Sequence, residues 1–164
     1  MNSEQQIATE HGTLVATFLL GKAAFGMDAQ QVQEVARVGD VTQVHHAPAC
    51  IVGIRNLRGR IVTIMDLRAR LELGRVTPAP DNRIFIVDGQ GEPIGLLVDS
   101  VADTISTGKD ELLPPPPNLH GVQSRHLRGV CRSGDRLVAV LKLDALLTPE
   151  DHATTILPKE QLRG

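Results

Sequence analysis

Aromatic side chains are almost missing from this chain: Phe18, Phe25 and Phe85 are the only ones, with no Trp and no Tyr in 164 residues. That removes the stacking platform on which single-stranded nucleic acids are read, and it predicts a core built from aliphatic residues. Net charge is also nearly absent, at −2, so there is no field to hold a polyanion and duplex nucleic acid is excluded as the main partner. The two cysteines, Cys50 and Cys131, form no Cys-x-x-Cys pair and stand among apolar neighbours. They predict buried free thiols in a reducing compartment and no disulfide. No apolar run approaches the ~18 residues of a membrane span. Met1 to Gln6 has neither a basic n-region nor an apolar h-region. Together these absences predict a soluble cytoplasmic protein without membrane insertion, folded as one domain or two small ones sharing a core.

Catalytic signatures are missing too. There is no Gly-x-Ser-x-Gly elbow and no Walker-type phosphate loop. Asp88-Gly89-Gln90-Gly91 is a lone Gly-rich turn with no helix behind it to cradle phosphate. His45 and His46 are the one tempting metal element. Adjacent side chains on a strand point to opposite faces, and no nearby Cys or His completes a set. Asp66 and Asp99 suit capping or turn roles. The expectation is a non-enzymatic protein with no metal and no cofactor, working through its surface.

What the chain does contain is short strands. Residues 1–12 are polar and read as a flexible tail. Leu14–Leu20 and Ala23–Met27 flank Gly21-Lys22 as a hairpin. Asp28 opens a helical turn through Gln31, and Val32–Val38 alternates apolar and polar with period two. Val41–Val44 reads as a further strand, and Ala49–Gly53 as a short helix or apolar loop. The centre of the chain is Gly53–Leu71: strand, turn at Arg58-Gly59, the β-branched strand Ile61–Met65, then Asp66 as N-cap of a short helix. Arg83–Val87, Ile94–Val98, Val101–Ile105, Leu127–Cys131 and Arg136–Leu141 continue the pattern. Pro114–Pro117 is a polyproline II segment, read as a stiff crossover between two halves in preference to bait for an SH3 or WW domain. Thr148-Pro149 starts a C-terminal helix that ends before Pro158, so residues 148–164 are read as helix and tail.

The chain also repeats itself. Gly53-Ile54 laid over Gly129-Val130 brings Arg60 onto Arg136, Ile64 onto Val140, Leu67 onto Leu143 and Leu71 onto Leu147 without a gap. Phe25-Gly26 over Ile94-Gly95 brings Val32 onto Val101 and Glu34 onto Asp103. The order is two units, then the same two again, over residues 13–147, with each half expected to supply one barrel. Five short strands per half bury their inner face best by closing on themselves. In the second copy Arg132-Ser133-Gly134-Asp135 replaces Asn56-Leu57-Arg58-Gly59. The fold signal is kept and the turn chemistry is not, which singles out Arg58, while Arg60, shared with Arg136, serves the fold.

Asn56-Leu57-Arg58-Gly59-Arg60-Ile61-Val62-Thr63-Ile64-Met65-Asp66-Leu67-Arg68 closely resembles the signature of the CheW family of bacterial chemotaxis coupling proteins. Val32-Gln33-Glu34-Val35 and Ile94 to Val101 resemble its flanking blocks, so the likeness covers roughly Leu14 to Leu147. One departure is Thr63, where the family usually has Pro. The resemblance implies a mainly β fold of two intertwined five-stranded SH3-like barrels with a few short helices and a C-terminal helix. It also implies a non-catalytic adaptor joining the tips of methyl-accepting chemotaxis receptors to the regulatory domain of the histidine kinase CheA, with other CheW copies as further partners in array rings. A CheW-like adaptor of a non-flagellar pathway, for surface motility or development, is the alternative. Receptor binding carried over from the family falls on Val32, Glu34, Arg58 and Thr104, with Asn56 and Leu57 supporting the turn. At Thr104 the family more often has an apolar residue. No residue is assigned to the kinase.

Overall fold

The computed structural model describes residues 12–108 and 110–148. Residues 1–11 of the expected 1–12 tail, and 149–164 of the expected C-terminal helix and tail over 148–164, lie outside the described residues. Twelve strands and two short helices follow one another: β1 (Thr13–Leu20), β2 (Ala23–Asp28), β3 (Val32–Arg37), β4 (Ile51–Leu57), β5 (Arg60–Asp66), α1 (Leu67–Arg70), β6 (Arg83–Asp88), β7 (Pro93–Val98), β8 (Ser100–Thr107), β9 (Asn118–Leu119), β10 (Val122–Gln123), β11 (Leu127–Ser133), β12 (Arg136–Leu141) and α2 (Leu143–Leu147). Two local predictions hold at atomic level. Asp28 Oδ1 accepts from Gln30 N at 2.9 Å, opening the 3-10 turn Ala29–Gln31. Asp66 Oδ1 caps α1 by accepting from Ala69 N at 3.1 Å, and its other oxygen accepts from Val76 N at 2.9 Å.

The strands form two five-stranded sheets, ordered β11-β12-β2-β1-β8 and β3-β6-β7-β5-β4. The duplication is visible in the register. Parallel pairing sets Ile64 against Gly95 in the second sheet and Val140 against Gly26 in the first, the same equivalences that the sequence repeat predicts. The irregularity in β4–β5 between Ile51 and Gly53 recurs in β11–β12 between Leu127 and Gly129.

The sheets do not, however, divide the chain into first and second halves. The second sheet takes the continuous stretch from β3 to β7, while the first is built from β1 and β2 together with β8, β11 and β12. Each sheet takes the first hairpin of one repeat, β1–β2 or β6–β7, and the remaining three strands of the other, β8, β11 and β12 or β3, β4 and β5. The exchange of first hairpins completes both sheets.

The two edge strands of each sheet, its seam, are joined in the chain by a segment that bridges to one of them. Thr42, predicted to lie in a strand, makes an isolated bridge to Ile54 on β4, with N–H···O distances of 2.7 and 2.8 Å in the two directions. Its segment leads in the chain from edge strand β3 to edge strand β4. Leu113 does the same for the first sheet on Val130, at 2.9 Å in both directions. Pro114–Pro117 therefore leads from β8 toward the β9–β10 hairpin and β11, two parts of one sheet's surroundings, and is not a crossover between halves. The repeated glycines explain themselves here. A Cβ on Gly53 would strike the Thr42 carbonyl, and one on Gly129 the Leu113 carbonyl. Ala49–Cys50 leads directly into β4, which begins at Ile51, with no helix.

Three apolar clusters result. Val62, Ile64, Ile84 and Ile86 fill the second sheet, and Val15, Val138, Val140 and Cys131 the first. Alternate residues of the same strands, including Phe85, Val87, Ala139 and Leu141, face a larger shared cluster with Phe18, Phe25, Leu67 and Leu146. Strands such as β6 are thus buried on both faces, which is why they read as unbroken apolar runs. The core is aliphatic apart from its centre, where all three Phe meet: Phe18 lies edge-on to Phe85 at 5.1 Å and stacks with Phe25 at 6.4 Å. Thr63, buried in β5 between Ile54 and Ile94, supplies an amide that proline would lack.

Gly53→Val and Gly129→Val are each expected to cost about 2 kcal/mol or more of stability in urea unfolding. Wild-type stability in either variant would show that its seam bridge does not hold the sheet.

Candidate functional site

β4 and β5 are joined by the two-residue loop Arg58-Gly59, with Leu57 paired to Arg60. Both loop residues have positive φ, +53° at Arg58 and +85° at Gly59, the backbone of a type I′ turn. Asn56 Oδ1 fixes the turn by accepting from Gly59 N at 2.9 Å. Leu57 anchors its base against the second-sheet cluster. In the duplicate hairpin Gly134 takes the positive φ instead, so the two turns differ in backbone as well as in side chains.

An arginine in the left-handed region costs roughly 1–2 kcal/mol relative to its usual conformations. The turn nonetheless places Arg58 there, with its side chain 69% exposed. Its Nη2 donates to Glu34 Oε1 on β3. Because β3 and β4 are the two edges of the second sheet, this ion pair spans the seam whose edge strands the Thr42 segment joins in the chain. A pair this exposed contributes at most ~1 kcal/mol. Its effect is positional: it holds the guanidinium over the seam while the remaining N–H donors stay open to a partner's oxygens.

Of the six residues predicted for the site, the structure gathers Glu34, Asn56, Leu57 and Arg58 at this seam. Val32 starts β3 half-buried against the shared cluster. Thr104 lies on the other sheet, exposed on edge strand β8 opposite Ala16. Among the described residues no hydrogen bond or ion pair joins it to the turn. Two surface residues went unpredicted. Val35, 44% exposed beside Glu34, and Val101, 45% exposed on β8, present large apolar side chains. The signal was available, since Val32 and Val35 are an odd number of residues apart and cannot share one face of a regular strand.

His45 and His46 sit in an exposed turn, and no group of three His, Cys, Asp or Glu among the described residues could hold a metal. Cys50 and Cys131 are buried free thiols. Burial pushes the Cys50 thiol up from its usual range, opposed by the nearby Arg70 cation.

The fold and site together define a class of β protein: a duplicated pair of five-stranded sheets that exchange hairpins, with an exposed arginine on one seam. The model of the CheW-like domain matches residues 14–151, and the chain belongs to that family. The chain is 29% identical to the chemotaxis protein CheW of Klebsiella aerogenes over 136 residues, covering 83% of this chain and 82% of that one. It is 31% identical to a probable chemotaxis protein CheW of Rhizobium etli over 132 residues, 80% and 84% of the two chains. The crystal structure of the scaffolding protein TtCheW from Thermoanaerobacter tengcongensis matches with a TM-score of 0.78 and 30% identity, over 88% of this chain and 92% of that one.

Two outcomes follow. Arg58→Asn relieves the turn while removing the guanidinium, so thermal unfolding is expected to show equal or higher stability; a drop of several degrees would mean that Arg58 is structural. The raised Cys50 pKa means that the unfolded chain loses this proton first. Its contribution to stability is therefore intact below the ordinary thiol range and falls as pH rises through it. Urea midpoints measured on either side of pH 9 should show that fall, and Cys50→Ala should remove it.

Proposed function

We propose that this protein is a non-catalytic scaffold that couples methyl-accepting chemoreceptors to a CheA-type histidine kinase, with the receptor tip bound at the second-sheet seam. The observation that carries this reading is Arg58: a cation held in a costly backbone conformation by Asn56 and aimed by Glu34, in the one repeat that has it. Strain kept at an exposed position that the duplicate hairpin avoids points to function. Membership of the CheW-like family supports the partner class, and the scaffolding protein of similar structure supports the role.

In this reading the receptor's helical tip lies along β3. Val32 and Glu34, which share one face of β3, line the contact, and Arg58 hydrogen-bonds the tip's polar side chains. Asn56 and Leu57 position the turn, and Thr104 contributes from β8. The kinase's regulatory domain and further copies of the chain would occupy other faces, leaving the receptor seam free. The protein would work in the cytoplasm, brought to receptor arrays by its partners; no helix among the described residues is long and apolar enough to cross a membrane.

Arg58→Ala is expected to weaken receptor-tip binding by about 2 kcal/mol, roughly thirtyfold, with thermal unfolding unchanged. Equal affinity for wild type and variant in a calorimetric titration would remove Arg58 from the interface. Failure of the wild type to co-purify with either receptor tips or the kinase's C-terminal domains would count against the scaffold itself.

A further inference from the structure

The chain passes between the sheets at two places among the described residues, from β2 to β3 and from β7 to β8. These crossovers are equivalent in the repeat, yet they are held differently. At the first, Asp28 caps its own turn and lies 3.6 Å from Arg128 on β11, so its contacts stay with the first sheet. At the second, the single residue Asp99 is tied to both sheets. Its Oδ2 accepts from Gly21 N in the β1–β2 turn at 2.7 Å, and its N–H donates to Leu19 O on β1 at 3.2 Å. From the other side Asn82 Nδ2, at the foot of β6, donates to Asp99 O at 3.1 Å, and Arg68 Nη1 on α1 lies 3.7 Å from Asp99 Oδ2. Arg68 is itself held in place, donating from Nε and Nη2 to Leu73 O at 3.2 and 3.1 Å.

Two residues further along α1, Arg70 is buried and grips the first sheet's helix. Its Nε donates to Leu146 O at 2.8 Å, and its Nη2 to Ala145 O at 3.0 Å and Thr148 O at 3.3 Å. The gapless repeat lays Arg68 on Asp144 and Arg70 on Leu146, so α2 has neither arginine. A fold that is otherwise twofold thus carries one asymmetric bracket.

We infer that α1 is that bracket: Arg68 on Asp99 and Arg70 on α2 set the orientation of one sheet relative to the other, and Asp99 and Arg68 are positioning residues for partner binding. The shared apolar cluster joins the sheets strongly, but apolar burial has no direction. The hydrogen bonds and the ion pair do. β3 and β8, which carry Glu34 and Thr104, each begin at a crossover, so a rotation between sheets changes the distance between these two strands. The binding arm of this inference rests on the receptor-scaffold reading; its orientation arm does not.

Residual dipolar couplings of the full chain test it directly. Asp99→Asn and Arg68→Gln are expected to leave the couplings within each sheet self-consistent while rotating the sheets against each other. Receptor-tip affinity should fall about fivefold, and Arg68→Lys should restore both readouts. Wild-type sheet orientation in both Asp99→Asn and Arg68→Gln would overturn the proposal. If Asp99→Asn does not fold, Arg68→Gln decides alone, since it leaves the bonds of Asp99 to Gly21 and Leu19 in place. Unfolding of both would overturn it as well, because the pair would then be a support and not a positioner. A wild type that binds no receptor tip would remove the scaffold reading, while the couplings would still decide the bracket.

Discussion

Each repeat keeps three strands in one sheet and gives its first hairpin to the other, and this exchange of β1–β2 and β6–β7 is the constraint on which the other features depend. Because each first hairpin lies in a sheet with the other repeat's strands, the two sheets share one apolar cluster, and the strands that face it lose a solvent side. That is why β5, β6, β7 and β12 are apolar at successive positions, why the three Phe converge at one point, and why two seams remain to be bridged. The bridges demand backbone approaching backbone, and Gly53 and Gly129 permit it. A single topological choice thus determines where large residues, small residues and crossing segments must fall.

Much of this was legible in the residues. Hairpins were marked by Gly21, Arg58-Gly59 and Gly134, the α1 cap by Asp66, and the duplication by coincident glycines and arginines. The partner of each strand was not legible. A strand that stays with its own repeat and one that is exchanged bury the same alternating side chains, so periodicity cannot tell them apart. Val41–Val44 has strand composition, yet it leads from one edge strand to the other instead of lying along a neighbour, and only Thr42 pairs. Of the candidate site, Asn56, Leu57 and Arg58 were readable as one turn with its own chemistry. The Glu34–Arg58 pair was not, because the two lie 24 residues apart on opposite edges of a sheet whose closure had to be known first. Val35 was missed because alternation was read without checking its parity.

The departures from the repeat gather at two places. The duplicated framework supplies two near-equivalent sheets. Arg58 replaces an ordinary turn residue in one of them, and Arg68 and Arg70 appear in one of two equivalent helices. Symmetric elements carry the energy of burial, since both copies answer to the same packing demand. The asymmetric ones are free of that demand, and so their chemistry can differ between the copies.

The exchange also has a consequence for synthesis on the ribosome. The second sheet is continuous in the chain, from Val32 to Val98, and its strands can pair as soon as they emerge. The β1–β2 hairpin is made before that sheet but must wait for β8, β11 and β12, which follow it in the chain. During translation its apolar face and both its edges stand open while its neighbour is already complete. That hairpin is therefore sheltered later than the sheet that follows it, and the nascent chain's demand for protection from aggregation falls on Thr13–Asp28.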